Sequence, residues 1–165
     1  MKENFRKNIE KVVVNVGVGR MSQAADFEKR LLPEITKELA MMTGQKCETI
    51  KSKKSISGFK LRVGQVIGLK TTLRRGRAVD FLQRLINMVL PRVKDFRGLK
   101  LTAIDKSGVL NIGIKDKSIF PEIVPEESKV SFGLEISVVP KTRKREEALE
   151  VYSLLKFPII KKKNG

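Results

Sequence analysis

Between Lys46 and Arg77 the chain sets ten basic side chains (Lys46, Lys51, Lys53, Lys54, Lys60, Arg62, Lys70, Arg74, Arg75 and Arg77) against one acid, Glu48. Like charges at this density repel unless a polyanion lies against them, so the chemistry on offer is neutralisation of a phosphate backbone. Ser52, Ser55, Ser57, Thr71 and Thr72 add hydroxyls for phosphate oxygens, and Phe59 adds one ring for stacking. A charge run is more often a solvated face. Here the single-sign field spans a whole segment, with glycines and hydroxyls interleaved, and that favours nucleic acid. For Phe59, core packing and contact with a base stay equally open.

Other chemistries find little to work with. There is no histidine, and Cys47 is the one cysteine, so an internal disulfide is impossible and a zinc site lacks ligands. Catalysis would rest on Asp, Glu, Lys, Tyr152 or that thiol without the commonest general base. An enzyme is disfavoured, and neither metal nor cofactor is expected. The run Gly17-Val18-Gly19-Arg20-Met21-Ser22 follows a strand as a dinucleotide fingerprint would, but Ser22 stands where the third glycine belongs. An ordinary strand-to-helix turn is the better reading. Asp26, Glu28, Glu34 and Glu38 alternate with bases and read as a solvated helix face. Asn15, inside a valine-rich strand, either faces solvent harmlessly or reaches a ligand from an open sheet face.

These residues need a scaffold. The 165 residues, 41% hydrophobic with net charge +17 and pI near 10.2, suit one RNA-binding domain over 1–165 with its own core. Its basic features are a loop at about 52–68 and a tail at 161–165. No apolar run approaches membrane-spanning length and the N-terminus has no signal core, so a soluble, cytoplasmic protein without membrane partners is expected. Ile9 to Val18 predicts a strand with Val12, Val14 and Val16 on one face and Val13 and Asn15 on the other. Asp26 is a candidate N-cap for an amphipathic helix ending at Gly44, with Pro33 in its first turn or at a kink. Strands are expected over Thr49–Lys53 and Leu69–Leu73, with a long loop or loose hairpin between them. A helix follows to Pro91, then strands over Val109–Ile114 and Val130–Val139, and a helix over Arg145–Leu155. The order predicts an α+β fold, a largely antiparallel sheet with helices packed on one face and the other face free for RNA.

Several strings taken in order, VVNVGVG, TGQK, KKSISGFKLRVGQVIGLKTTLRRGR, FLQRLINMVLPRVKDFRGL, IFPEI and a final FPI, resemble the bacterial-type L-five family of large-subunit ribosomal proteins. That family binds 5S rRNA in the central protuberance. The resemblance, over about Ile9 to Ile159, implies a fold similar to a split βαβ RNA-binding domain. It implies 5S rRNA contacts at Asn15, Gln45, Phe59 and Thr72, joined at phosphates by Lys53, Lys54, Arg74, Arg75 and Arg77. It also implies that Ser55, Ser57, Gly58, Lys60, Arg62, Gly64 and Gly68 form a loop reaching peptidyl-site tRNA. Arg92, Asp95 and Arg97 would lie at an intersubunit bridge to a small-subunit head protein, with the loop near Glu122 to Val130 as a further candidate. Large-subunit rRNA and neighbouring central-protuberance proteins complete the implied partners.

The chain departs from the family's pattern in a short N-terminus, in Val66 where proline is usual, in a slightly long stretch from Gly19 to Gln45, and in a more basic segment, PKTRKREEA. The last suggests additional rRNA contact. An RNA-binding module or RNA chaperone outside the ribosome is the alternative reading.

Overall fold

The computed structural model describes residues 2–160. Its centre is β1, Ile9–Gly17, whose β-branched residues favour an extended chain. It is flanked by β3 (Val66–Leu73) and β5 (Leu134–Pro140), with β2 (Glu48–Lys51) outside β3 and β4 (Leu110–Ile114) outside β5. All four pairings are antiparallel, giving the expected α+β sheet. The alternation of β1 sorts its faces. Val12, Val14 and Val16 face Leu73, Thr71 and Leu69 on one side and, for the first two, Val138 and Ile136 on the other, all buried. Leu110, Ile112 and Ile114 of β4 continue this buried layer.

The helices cover that layer. They are α2 (Leu32–Thr43), α3 (Arg75–Arg84) and α4 (Arg145–Leu154), preceded by a short α1 (Lys2–Asn8). Ile35, Leu39 and Met42, then Val79, Phe81 and Leu82, then Ala148 and Tyr152 enter the same core, each large apolar side chain contributing about 1.5–3 kcal/mol by leaving water. Gly44 ends α2 in the left-handed conformation, φ 71°, where a side chain is disfavoured. At Gly108, also left-handed, an added Cβ would meet that of Ala148 at 2.6 Å, so α4 closes directly onto the turn before β4.

Some boundaries differ from the sequence reading. Asp26 makes no capping bond but pairs with Arg30 at 3.6 Å, because a π-type turn over Phe27–Leu31 runs straight into α2 and leaves no free helix end there. Pro33 sits in the first turn of α2, where it removes no needed bond. The second long helix does not stop at Pro91: a π-type turn, Leu85–Val89, and a 3₁₀ turn, Leu90–Arg92, carry it through the proline. β3 begins earlier than expected, at Val66, because Gly68 finds partners on both sides, Gly17 and Ile50. The regular part of β5 begins only at Leu134, although Val130 and Phe132 are buried ahead of it. Glu38 is not on a solvated face. It is buried and ion-paired with buried Lys117, whose ammonium lies 4.4 Å from the Phe132 ring.

Candidate nucleic-acid interface

The uncovered face of the sheet is polar. Exposed Asn15 lies between Lys70 of β3 and Glu135 of β5, and Val13 lies between Thr72 and Ser137. Lys70 is held by Glu48 at 3.4 Å and Ser137 donates to the Asn111 Oδ1 at 2.7 Å. The Asn15 amide has no side-chain partner among the described residues, so it is free to read an incoming donor or acceptor. A shallow groove of about 670 Å³ runs beside it, floored by Gly17, Gly68 and Gly113.

One end of this face is organised by Gln45, just past the end of α2. Its Nε2 donates to the Thr72 carbonyl at 3.0 Å, and its Oε1 accepts from Arg77 Nη1 at 3.0 Å. The glutamine thus ties β3 to the first turn of α3 and holds the exposed Arg77 guanidinium at this end of the sheet. Thr72 is a diagonal neighbour of Asn15, a separation of roughly 7–8 Å. Arg74, the extended residue before α3, lies 3.9 Å from Glu10. Arg75 adopts a left-handed backbone, φ 53°, and lines a cleft with Phe5, Arg6 and Lys141 rather than joining Gln45. Gln45, Thr72 and Arg77 are therefore brought together, with Asn15 one diagonal step along the sheet and Arg74 next in the chain after β3.

Lys53, Lys54 and Phe59 are not with them. They stand at the far end of β3, roughly 20 Å away at about 3.3 Å per residue, on the connection between β2 and β3. That connection is a folded hairpin. Ile56 and Leu61 exchange backbone bonds of 3.1 Å, Ser52 donates to the Gln65 carbonyl and accepts from Gly64, and a 3₁₀ turn spans Ser57–Phe59. Lys60 closes the turn in a left-handed conformation, φ 51°. Phe59 is 69% exposed, which removes the core-packing alternative. Ser55, Ser57, Gly58, Lys60, Arg62 and Gly64 share this tip, whereas Gly68 is inside β3.

Nothing in the residue pattern hints at what fastens the tip. Gln65 Nε2 donates to the carbonyl and Oγ of Ser22 at 3.1 and 2.8 Å, its Oε1 accepts from the Arg62 N–H at 3.1 Å, and Gln23 Nε2 donates to the Phe59 carbonyl at 3.0 Å. The turn after β1, read as ordinary, is the anchor of the basic loop. Isolated glutamines carry no pattern that would have disclosed this.

Arg92, Asp95 and Arg97 are exposed after the α3 helical run, with Asp95 left-handed, φ 56°. The chain then pairs Leu99 with Ile159, so this corner is braced by the C-terminal segment. In the other candidate loop, Glu122 is tied to Arg84, which also donates to the Met42 carbonyl at 3.0 Å. At the start of α4, hydrogen bonds from Thr142 and Lys144 hold the Glu147 carboxyl below its usual range. The basic tail expected at 161–165 lies outside the described residues. Among the described residues no three His, Cys, Asp or Glu side chains gather as a metal site, and no helix is long and apolar enough to cross a membrane.

A polar open sheet beside two separate basic projections defines a nucleic-acid-binding class of α+β protein. Comparison with known proteins narrows it. The family described as ribosomal protein L5 matches residues 7–62, and the C-terminal region of that ribosomal family matches residues 66–159. Similar proteins include the large ribosomal subunit protein uL5 of Chlorobaculum tepidum, 46% identical over 94% of this chain and 82% of the relative. Those of Thermus thermophilus and Mycoplasma pneumoniae are each 44% identical over 93% of this chain, and over 82% and 83% of the relatives. The chain belongs to the ribosomal protein L5 family. It is a large-subunit ribosomal protein, structural and non-enzymatic.

Proposed function

We propose that this protein binds 5S rRNA through the end of its open sheet face and helps attach it to the central protuberance of cytoplasmic ribosomes. The observation that carries the reading is the Gln45 bridge between Thr72 and Arg77, which fixes a cation at the end of the sheet whose open face carries the free amide of Asn15. Asn15 and the Thr72 hydroxyl supply hydrogen bonds for base edges or 2′-hydroxyls, and Arg74 and Arg77 supply charge for phosphates.

The hairpin tip serves a second contact, peptidyl-site tRNA. Its support is an exposed Phe59 ring, a stacking surface of a kind worth about 1–3 kcal/mol per base, carried among Lys53, Lys54, Lys60 and Arg62 on a fastened support. Arg92, Asp95 and Arg97 face the small-subunit head in this reading, with large-subunit rRNA and central-protuberance proteins as the remaining neighbours. An RNA chaperone outside the ribosome has no specific observation in its favour.

The test is equilibrium binding of a combined Asn15→Ala, Gln45→Ala, Thr72→Ala variant to purified 5S rRNA and to an unrelated structured RNA. Loss of the preference for 5S rRNA by about tenfold or more is expected, the effect of losing one or more base or sugar contacts. Unchanged affinity and preference would overturn the site.

A further inference from the structure

We propose that the end of the sheet remote from the hairpin tip carries a second RNA-binding surface, a cleft between α1 and α3 rimmed by Arg6, Arg75 and Lys141. It takes the phosphate backbone of an RNA segment other than the one on the open face. The proposal rests on the reading of the chain as an rRNA-binding protein, and adds a site to it.

Three stretches far apart in sequence meet here because β1 runs antiparallel to both its neighbours. The start of β1 therefore lies beside the ends of β3 and β5: Val12 faces Leu73 and Ile9 faces Pro140. This places α1, the β3–α3 junction and the β5–α4 junction together. Lys141 ties them, its backbone N–H donating to the Asn8 carbonyl at 2.9 Å and its ammonium to the Arg6 carbonyl at 3.0 Å. The cleft they enclose, about 470 Å³, is lined by the apolar Phe5, Ile9, Val79 and Leu82, by the three cations and by one acid, Glu10, which is itself shared between Lys11 and Arg74. Arg143 is exposed two residues beyond Lys141.

Of the acids nearby, exposed Glu146 has no basic partner among the described residues, and the others are engaged. Glu3 pairs with Lys7 at 3.1 Å, Glu10 with Lys11 at 3.6 Å and Arg74 at 3.9 Å, Asp80 with Lys2 at 3.3 Å, and Glu147 with Lys144 at 3.3 Å. Arg6, Arg75, Lys141 and Arg143 have no carboxylate partner among the described residues. Three exposed cations without a carboxylate partner line one cleft, with Arg143 two residues further along the chain, and together they form a focused positive field. The left-handed backbone of Arg75 is a second sign. An arginine in that region is held at some cost, and here the strained residue is the one whose side chain lines the cleft. The cleft belongs to the helix layer, so a straight duplex resting on the opposite, open face does not also fill it.

Two measurements decide this. In the first, an Fe(II)–EDTA tether is attached to Arg143→Cys, and separately to Glu135→Cys on the open face, in reconstituted large subunits, with the wild-type chain and its buried Cys47 as the blank. The two tethers are expected to cleave different rRNA nucleotides. Cleavage from position 143 no greater than the blank, or overlapping that from position 135, would overturn the proposal. Absence of 5S rRNA cleavage from position 135 would instead count against the open-face reading alone. In the second, an Arg6→Gln, Lys141→Gln, Arg143→Gln variant should bind isolated 5S rRNA within about twofold of wild type, because no phosphate contact on the open face is removed. Its binding to deproteinised large-subunit rRNA carrying 5S rRNA should lose about three units of salt slope, one per phosphate contact. An unaltered slope there would refute the second surface even if tether cleavage were ambiguous.

Discussion

Tyr152 is the sole tyrosine of a chain without tryptophan, and its one hydroxyl proton is shared between the Gly108 and Val138 carbonyls, whose oxygens lie 2.7 and 3.0 Å from the phenol oxygen. Burial pushes its pKa above the usual tyrosine range, reinforced by the charge of Asp105 and opposed by a backbone hydrogen bond. The folded chain keeps this proton where the unfolded chain releases it, so the stabilisation is complete below about pH 10 and declines as pH rises beyond it. Tyrosinate absorbance should stay silent until unfolding, and Tyr152→Phe should lessen the alkaline loss of stability at a cost of about 1–3 kcal/mol for the abandoned carbonyls. A readily titrating tyrosine in the folded protein would contradict this. The residues legible from sequence are those governed by a two-residue period: Asn15 is exposed because Val14 and Val16 are buried. Glu38 misleads because Lys117, the partner that permits its burial, is 79 positions away.

At the scale of elements, the Glu38–Lys117 pair pins the long segment between β4 and β5 to α2. Removing one partner from a buried pair strands a charge. Lys117→Ala should therefore destabilise the protein by about 3–5 kcal/mol, whereas Lys117→Met with Glu38→Leu should recover most of that loss. Chemical denaturation of the single and double variants measures it, and an additive double variant would show that the pair is not coupled. The elements themselves are legible where apolar periodicity runs for two turns or more, as in α2 and in the stripe of Val79, Leu82 and Leu85. α1, with seven residues and one buried side chain, offers too short a pattern. The basic loop is legible as a feature and illegible as an object, since its rigidity depends on Gln23, Gln65 and a turn far upstream, with Gln23 itself 36 positions from the Phe59 carbonyl it holds.

At the scale of the molecule, the two family matches meet between residues 62 and 66, yet the sheet ignores that division. β1 and β2 lie before it and are not neighbours, while every strand that pairs with them, β3 and β5, lies after it. A fragment of residues 1–64 therefore has no strand pair and should show no cooperative unfolding alone. Mixing it with residues 65–165 should restore the circular dichroism of the intact sheet. Independent folding of the first fragment would overturn this. Charge is the part of the whole most visible from sequence, but its division into an open-face end, a hairpin tip and a crowded sheet end is set by strand order, which composition does not encode.

Strand order also sets a timetable. β1 is made first and occupies the middle, so it leaves the synthesising ribosome with neither flank available. β3 follows about fifty residues later and β5 about a hundred and twenty, intervals of roughly 2–10 s and 6–25 s at ordinary elongation rates. For that time the most valine-rich segment of the chain is an unpaired ribbon with both edges open. The lysines and arginines from Lys46 onward then make the nascent chain cationic before β3 is complete, and repulsion between copies on neighbouring ribosomes opposes their pairing edge to edge. The charge that suits the finished protein to RNA thus guards its central strand before the protein is finished.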